Sequence, residues 1–253
     1  MTSTSQDSTV ATPLAVQRAQ YWRRSWDEVM SACLPGLGSF EETLIAAAEA
    51  ALGGAPRGVL DLGGGPGLLA ERLAARWPRA EVRLLDLDPV LLLLARAAAP
   101  AGVTVHRGDL TGADWPGDVT GDAPVDLVTV VMTIHYLPED QARALYRRAR
   151  AVLRPGGVLV VADLMPIEEL PSVNPVADEA AAGLAWTRWW ERLRAEPIFG
   201  PWMRQREALF AGRAPAEFTP GQAWHCEAAR EAGFREAGVV WRRGPHAAVC
   251  AIV

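Results

Sequence analysis

Short apolar runs and helical stripes alternate along most of the chain. Val59-Leu60-Asp61-Leu62 reads as a buried strand, Gly63 to Gly67 as a turn, and Leu68, Leu69 and Leu73 recur at helical spacing. Further strands are predicted at Glu81–Leu87, Val103–Arg107, Val125–Met132 and Val158–Ala162. Helices fill the intervals, to about Trp77, from Pro89 to Ala99 and from Pro138 to about Leu153, while Asp109 to Asp122 reads as a polar, Gly-rich loop. Strand–helix units at this spacing imply a doubly wound, mostly parallel α/β sheet. Phe234–Trp241 and Ala247–Val253 follow a helix over Gln222–Ala232. Joined by Arg242-Arg243-Gly244-Pro245, they form a closing antiparallel hairpin at the sheet edge and bring the strands to seven.

Two helices precede this pattern. Pro13 to Cys33 has apolar positions at Leu14, Tyr21, Trp22, Trp26, Val29 and Met30. Ser39 with Glu42 reads as a capping box that starts a second helix, stopped near Leu52 by Gly53-Gly54. After Asp163 the prolines 166, 171 and 175 open an excursion with a Trp-rich helix over Ala177–Leu193 and another helical segment over Pro197–Phe210. The expected organisation is a mobile tail (1–12), an N-terminal helical cap (13–54) and an α/β domain (55–253) carrying a helical lid insert at about 166–221.

Composition narrows the function. A net charge of −5 and a pI near 5.5 argue against a nucleic-acid-binding surface. Every basic residue is Arg, a coding bias rather than chemistry. Cys33, Cys226 and Cys250 form no CxxC pair, so neither zinc nor a disulfide framework is indicated. No basic, apolar leader opens the chain and no apolar stretch approaches membrane-spanning length, so a cytoplasmic protein without membrane partners is expected.

Four glycines around Pro66 let a ligand approach the backbone without a Cβ in the way. Gly65, Gly67 and Ala70 satisfy the G-x-G-x-x-A dinucleotide fingerprint, and Asp86 lies 19 positions past Gly67, near where a ribose-binding acid is expected. These residues alone leave an NAD-dependent oxidoreductase open.

Val59 to Gly67 also resembles the first motif of class I S-adenosylmethionine-dependent methyltransferases. Leu84-Leu85-Asp86-Leu87-Asp88-Pro89 resembles their second motif and Arg107-Gly108-Asp109-Leu110 their third. Leu153-Arg154-Pro155-Gly156-Gly157 is similar to the turn before strand five, and Ala232-Gly233-Phe234 to the start of strand six. The resemblance implies a Rossmann-like methyltransferase fold that binds S-adenosylmethionine and releases S-adenosylhomocysteine. It places Gly63, Gly64, Gly65 and Gly67 under the methionine moiety and ribose, Asp61 at the ammonium and Asp86 at the ribose hydroxyls. Asp109, Gly108 and Leu110 fall at the adenine, with Leu87 and Val131 as apolar walls. A carboxylate has lone pairs enough for two ribose donors at once.

His135, after strand four, sits where small-molecule O-methyltransferases of this family carry a catalytic histidine, although Tyr136 and Leu137 depart from their His-Asp-Trp motif. It is the candidate base, with His225 a weaker one. No Asn/Asp-Pro-Pro-Tyr/Phe follows strand four, and the acids of the metal-dependent catechol type are missing, so neither nucleic-acid bases nor a metal are expected. Trp186, Trp189 and Trp190 share one helical face; Trp186 and Trp190, with Met203, Tyr21 and Trp22, are candidate substrate walls. The implied function is methyl transfer to a bulky apolar or aromatic small molecule, most readily at oxygen, in a setting such as secondary metabolism. A homodimer is compatible with this reading. So is a methyltransferase fold that binds the cofactor while catalysing a cyclisation or decarboxylation.

Overall fold

The computed structural model describes residues 14–121, 123–174, 179–213 and 216–253. The tail expected over 1–12 lies outside them, as do residues 177 and 178 of the expected Trp-rich helix. Strands β1 (Gly58–Leu62), β2 (Glu81–Asp86), β3 (Val103–Arg107), β4 (Val125–Val131), β5 (Leu153–Leu164), β6 (Glu236–Arg243) and β7 (His246–Ile252) form one sheet in the order β3-β2-β1-β4-β5-β7-β6. The first five are parallel. β7 runs antiparallel between β5 and β6, so the hairpin closes the sheet rather than starting a second strand–helix half.

Alternation along the strands builds two cores. Leu60, Leu62, Val128 and Val130 face one side, against α6 (Glu139–Val152) and α9 (Gln222–Glu231). Val59, Leu84, Leu127 and Val160 face the other, against α2 (Leu37–Leu52) and α3 (Leu68–Arg76). A third core has no strand in it. There α1 (Val16–Cys33) packs on α4 (Pro89–Ala98) and on α7 (Glu179–Arg194), and α8 (Gly200–Phe210) also lies on α4. Trp22, Trp26, Trp189, Trp190 and Phe199 meet edge to face there, with centroids 4.8–6.3 Å apart. The insert therefore docks on the N-terminal helix, over the ends of the parallel strands.

Three expectations are corrected. The second helix begins at Leu37, not after Ser39; Ser39 lies inside it and its hydroxyl donates to the Gly36 carbonyl (2.8 Å). The buried stripe Phe40, Leu44 and Ala48, with half-buried Leu37, pulls the start one turn forward, and Gly36 at φ +86° supplies the left-handed entry. The expected loop after β3 contains α5 (Trp115–Thr120), a single short helix that buries Trp115 and Val119 one turn apart. β5 begins at Leu153, because the Arg154–Gly157 turn is absorbed as an irregularity in pairing with β4.

Candidate active site

The glycine turn is built by close approach. A Cβ on Gly63 would stand 2.4 Å from the Thr133 side chain, and one on Gly64 would stand 2.4 Å from Asp61 Oδ2 and 2.8 Å from Leu84 Cγ. Gly63, Gly65 and Gly67 all have positive φ. The amides of Gly63 and Gly64 donate to the Leu85 carbonyl (2.7 and 3.3 Å) and that of Gly65 to Asp86 Oδ2 (2.8 Å), so β2 holds the turn open.

This turn forms one side of a cavity of about 740 Å³ at the carboxyl ends of the parallel strands. Asp61, Gly63, Gly64, Gly65, Asp86, Leu87, Gly108, Asp109, Leu110, Val131 and His135 line it, with Trp186 and Trp190 from the insert. Gly67 is one step behind the wall, at the N-cap of α3. Trp22 and Met203 are buried in the helical core and do not reach the cavity. Tyr21 points outward and accepts from Arg192. His225 is also enclosed elsewhere: it is bonded to Tyr146 Oη (2.8 Å) among the α6 and α9 side chains, and burial pushes its pKa down to about 4.

The carboxylates of the cavity occupy different states. Asp61 accepts from Thr129 Oγ1 (2.7 Å), but its buried Oδ2 has no hydrogen-bond partner among the described residues. Burial, with the nearby Asp86 charge, pushes its pKa up to about 7. Asp86 accepts from the Gly65 and Asp88 amides, and burial raises its pKa to about 6. Asp88 caps α4 through the Val90 and Leu91 amides, while its second oxygen receives Arg206 Nε (2.5 Å). Burial works to raise the Asp109 pKa, but hydrogen bonds from Thr111 and Arg213 outweigh it and hold the carboxyl below its ordinary value. Arg206, which also stacks 3.9 Å from the Trp190 ring, and Arg213 thus fasten the insert to acids at the ends of β2 and β3.

Just past the end of β4, the strand beside β1, His135 Nδ1 pairs with Asp163 Oδ1 at 2.7 Å. Asp163 is fully buried and accepts backbone amides from Thr133, Ile134, His135 and Leu164 (2.8–3.3 Å). Among the described residues no hydrogen-bond partner holds His135 Nε2, and the ring borders the cavity. In the sequence Asp163 marks only the point where the strand–helix rhythm changes; its meeting with His135 depends on the pairing of β4 with β5. His246, at the closing hairpin, stands directly opposite Leu164 across the β5–β7 ladder. Both residues line the cavity floor. Trp26, Met30, Phe40 and Tyr136 complete an apolar end.

Residues 59–157 match the family model described as a methyltransferase domain. That stretch is a methyltransferase domain. Over 107 residues it is 38% identical to a trans-aconitate 2-methyltransferase of Methylobacterium nodulans, a similarity spanning 42% of this chain and 38% of that protein's length. In structure it is similar to an O-methyltransferase family protein from Burkholderia thailandensis (TM-score 0.57, 17% identity, 93% of this chain and 59% of that one). It is also similar to a protein described as a pericyclic reaction enzyme (TM-score 0.54, 18% identity, 81% and 47%). At such identities likeness shows the fold alone.

The residues present fit S-adenosylmethionine, the cofactor that the sequence motifs imply. The unpartnered Asp61 Oδ2 suits an ammonium donor, the glycine cradle leaves no room for side chains, and Asp86 retains lone pairs towards the cavity. Among the described residues no cluster of three or more His, Cys, Asp or Glu could hold a metal ion, and no helix is long and apolar enough to cross a membrane.

The raised pKa values give a pH prediction. The folded state holds protons on Asp61 and Asp86 more tightly than the unfolded chain does. The stability these two carboxyls contribute therefore falls as pH rises from about 4, the unfolded value, to about 7 for Asp61 and about 6 for Asp86, against an opposite contribution from His225, whose pKa burial lowers to about 4. Asp61→Asn should flatten the upper part of that slope in thermal melts. An unchanged slope would show that Asp61 ionises normally.

Proposed function

We propose that the protein transfers a methyl group from S-adenosylmethionine to an oxygen of a small, largely apolar or aromatic acceptor. The observation that carries this reading is the His135–Asp163 pair bordering the same cavity as the glycine turn and Asp86. When bound, S-adenosylmethionine supplies an activated methyl group on a positively charged sulfur. The chain's own residues must orient the acceptor and receive its proton. With Nδ1 committed to Asp163, His135 presents Nε2 to the cavity, where it takes the proton of the acceptor hydroxyl. Asp163 fixes the ring's tautomer and stabilises the imidazolium that forms. Trp26, Trp186 and Trp190 supply an apolar wall that keeps water out and matches a flat acceptor.

Charge supports the choice of acceptor. Asp27, Glu41, Asp61, Asp86, Asp88 and Asp109 line the cavity against Arg72, Arg206 and Arg213, and each arginine is paired with one or two of these acids. A tricarboxylate would find like charge, and no unpaired guanidinium among the described residues that line the cavity. The test is a turnover assay for S-adenosylhomocysteine release with neutral phenols, indole alcohols and trans-aconitate. Turnover of the neutral aromatic hydroxyls is expected. Turnover of trans-aconitate alone would overturn the acceptor class.

A further inference from the structure

We propose that Arg23 is a positioning residue that ties the cofactor turn to the acceptor wall, so that cofactor binding and the docking of α1 are thermodynamically coupled. This rests on the cofactor reading above. Arg23 is only 3% exposed although it sits on the first helix, more than 40 residues from the turn in sequence. Its guanidinium donates to the carbonyls of Pro66 (2.7 Å), Gly67 (2.9 Å) and Ala98 (2.9 Å) and pairs with Glu71 (2.6 Å). All three nitrogens are used, in the planar fork that only arginine offers.

The turn needs such a clamp. Glycines at positive φ lose more conformational freedom on ordering than other residues do, and β2 holds only the turn's donors. Arg23 holds its acceptors at Pro66 and Gly67. One helical stripe then carries the constraint onward: Trp26, Asp27, Met30 and Cys33 follow Arg23 at spacings of three and four, and all four line the cavity. A second bridge runs in parallel, with Arg72 of α3 pairing Asp27 of α1 (2.5 Å) beside the Arg23–Glu71 pair. A ligand that orders the turn therefore stabilises the docked position of α1, and a docked α1 stabilises the turn.

The experiment pairs calorimetric titration of S-adenosylhomocysteine with hydrogen exchange of the whole protein, for wild type, Arg23→Lys and Arg23→Met. In wild type, S-adenosylhomocysteine is expected to increase amide protection across residues 16–33, not only around 63–67. Arg23→Met should bind it at least tenfold more weakly and lose the protection gain in α1. Arg23→Lys keeps the charge opposite Glu71 and should recover only part of each. Wild-type binding without added protection in α1 overturns the coupling, even if the methionine variant proves too unstable to titrate. So does unchanged affinity in a folded Arg23→Met. Absence of any binding to wild type would instead defeat the cofactor reading on which the proposal stands.

Discussion

His135→Ala is expected to lower kcat by about 10²–10⁴-fold, the usual contribution of a positioned general base, while calorimetric affinity for S-adenosylhomocysteine stays close to that of wild type. The split follows from the geometry. The imidazole borders the same cavity as the glycine turn, and what holds it is Asp163 at the end of β5 rather than any residue of the turn. Asp163→Asn should lower kcat in the same direction through a different route. An amide presents a donor on one side, so it favours the wrong imidazole tautomer and also serves the four backbone amides less well. Chemical rescue would separate the two: added imidazole should restore part of the turnover of His135→Ala and none of that of Asp163→Asn. Equal loss of kcat and of cofactor affinity in His135→Ala would place His135 in the cofactor pocket instead.

The second large effect belongs to Gly64. Its new methyl group in Gly64→Ala would meet Asp61 Oδ2 at 2.4 Å and Leu84 at 2.8 Å, distances that no relaxation of a flexible side-chain tip can relieve at once. Overpacking of this kind costs about 1–3 kcal/mol, hence a Tm lower by very roughly 2–4 °C per kcal/mol at this chain length. Function should suffer more than stability. The methyl displaces the carboxylate best placed to receive a cationic group, and S-adenosylhomocysteine binding is expected to vanish from calorimetry in a protein that still melts cooperatively. Retained binding would mean that the ligand approaches from elsewhere.

The cofactor half of the site was legible because it is local. Strand, glycine turn and acidic strand end each occupy a few consecutive residues, and the physical demand on each is visible in the residue type. The acceptor half is different. Its walls come from α1, α2, the segment after β4, the start of β7 and the insert, so the meeting of His135 with Asp163, or of His246 with Leu164, is settled by strand order and register. Helical stripes gave the right faces for Trp186 and Trp190 but could not tell a lining tryptophan from a packed one. Trp22 and Trp26 are one turn apart on α1, yet Trp22 is enclosed by Trp189 and Phe199 while Trp26 reaches the cavity. The Ser39–Glu42 pair shows the same limit, since a capping signature yields to a longer apolar stripe that begins earlier.

The clamp at Arg23 bears on how such a protein can be rebuilt. The acceptor walls are supplied largely by helices outside the matched stretch 59–157, which invites exchange of α1 and the insert between relatives to change what is methylated. A transplanted first helix, however, would leave the Pro66 and Gly67 carbonyls unanswered unless it brought its own arginine at the same place. Grafts chosen by cavity shape alone would therefore weaken the half of the site they were meant to leave untouched, and a chimera would need both partners of this contact exchanged together.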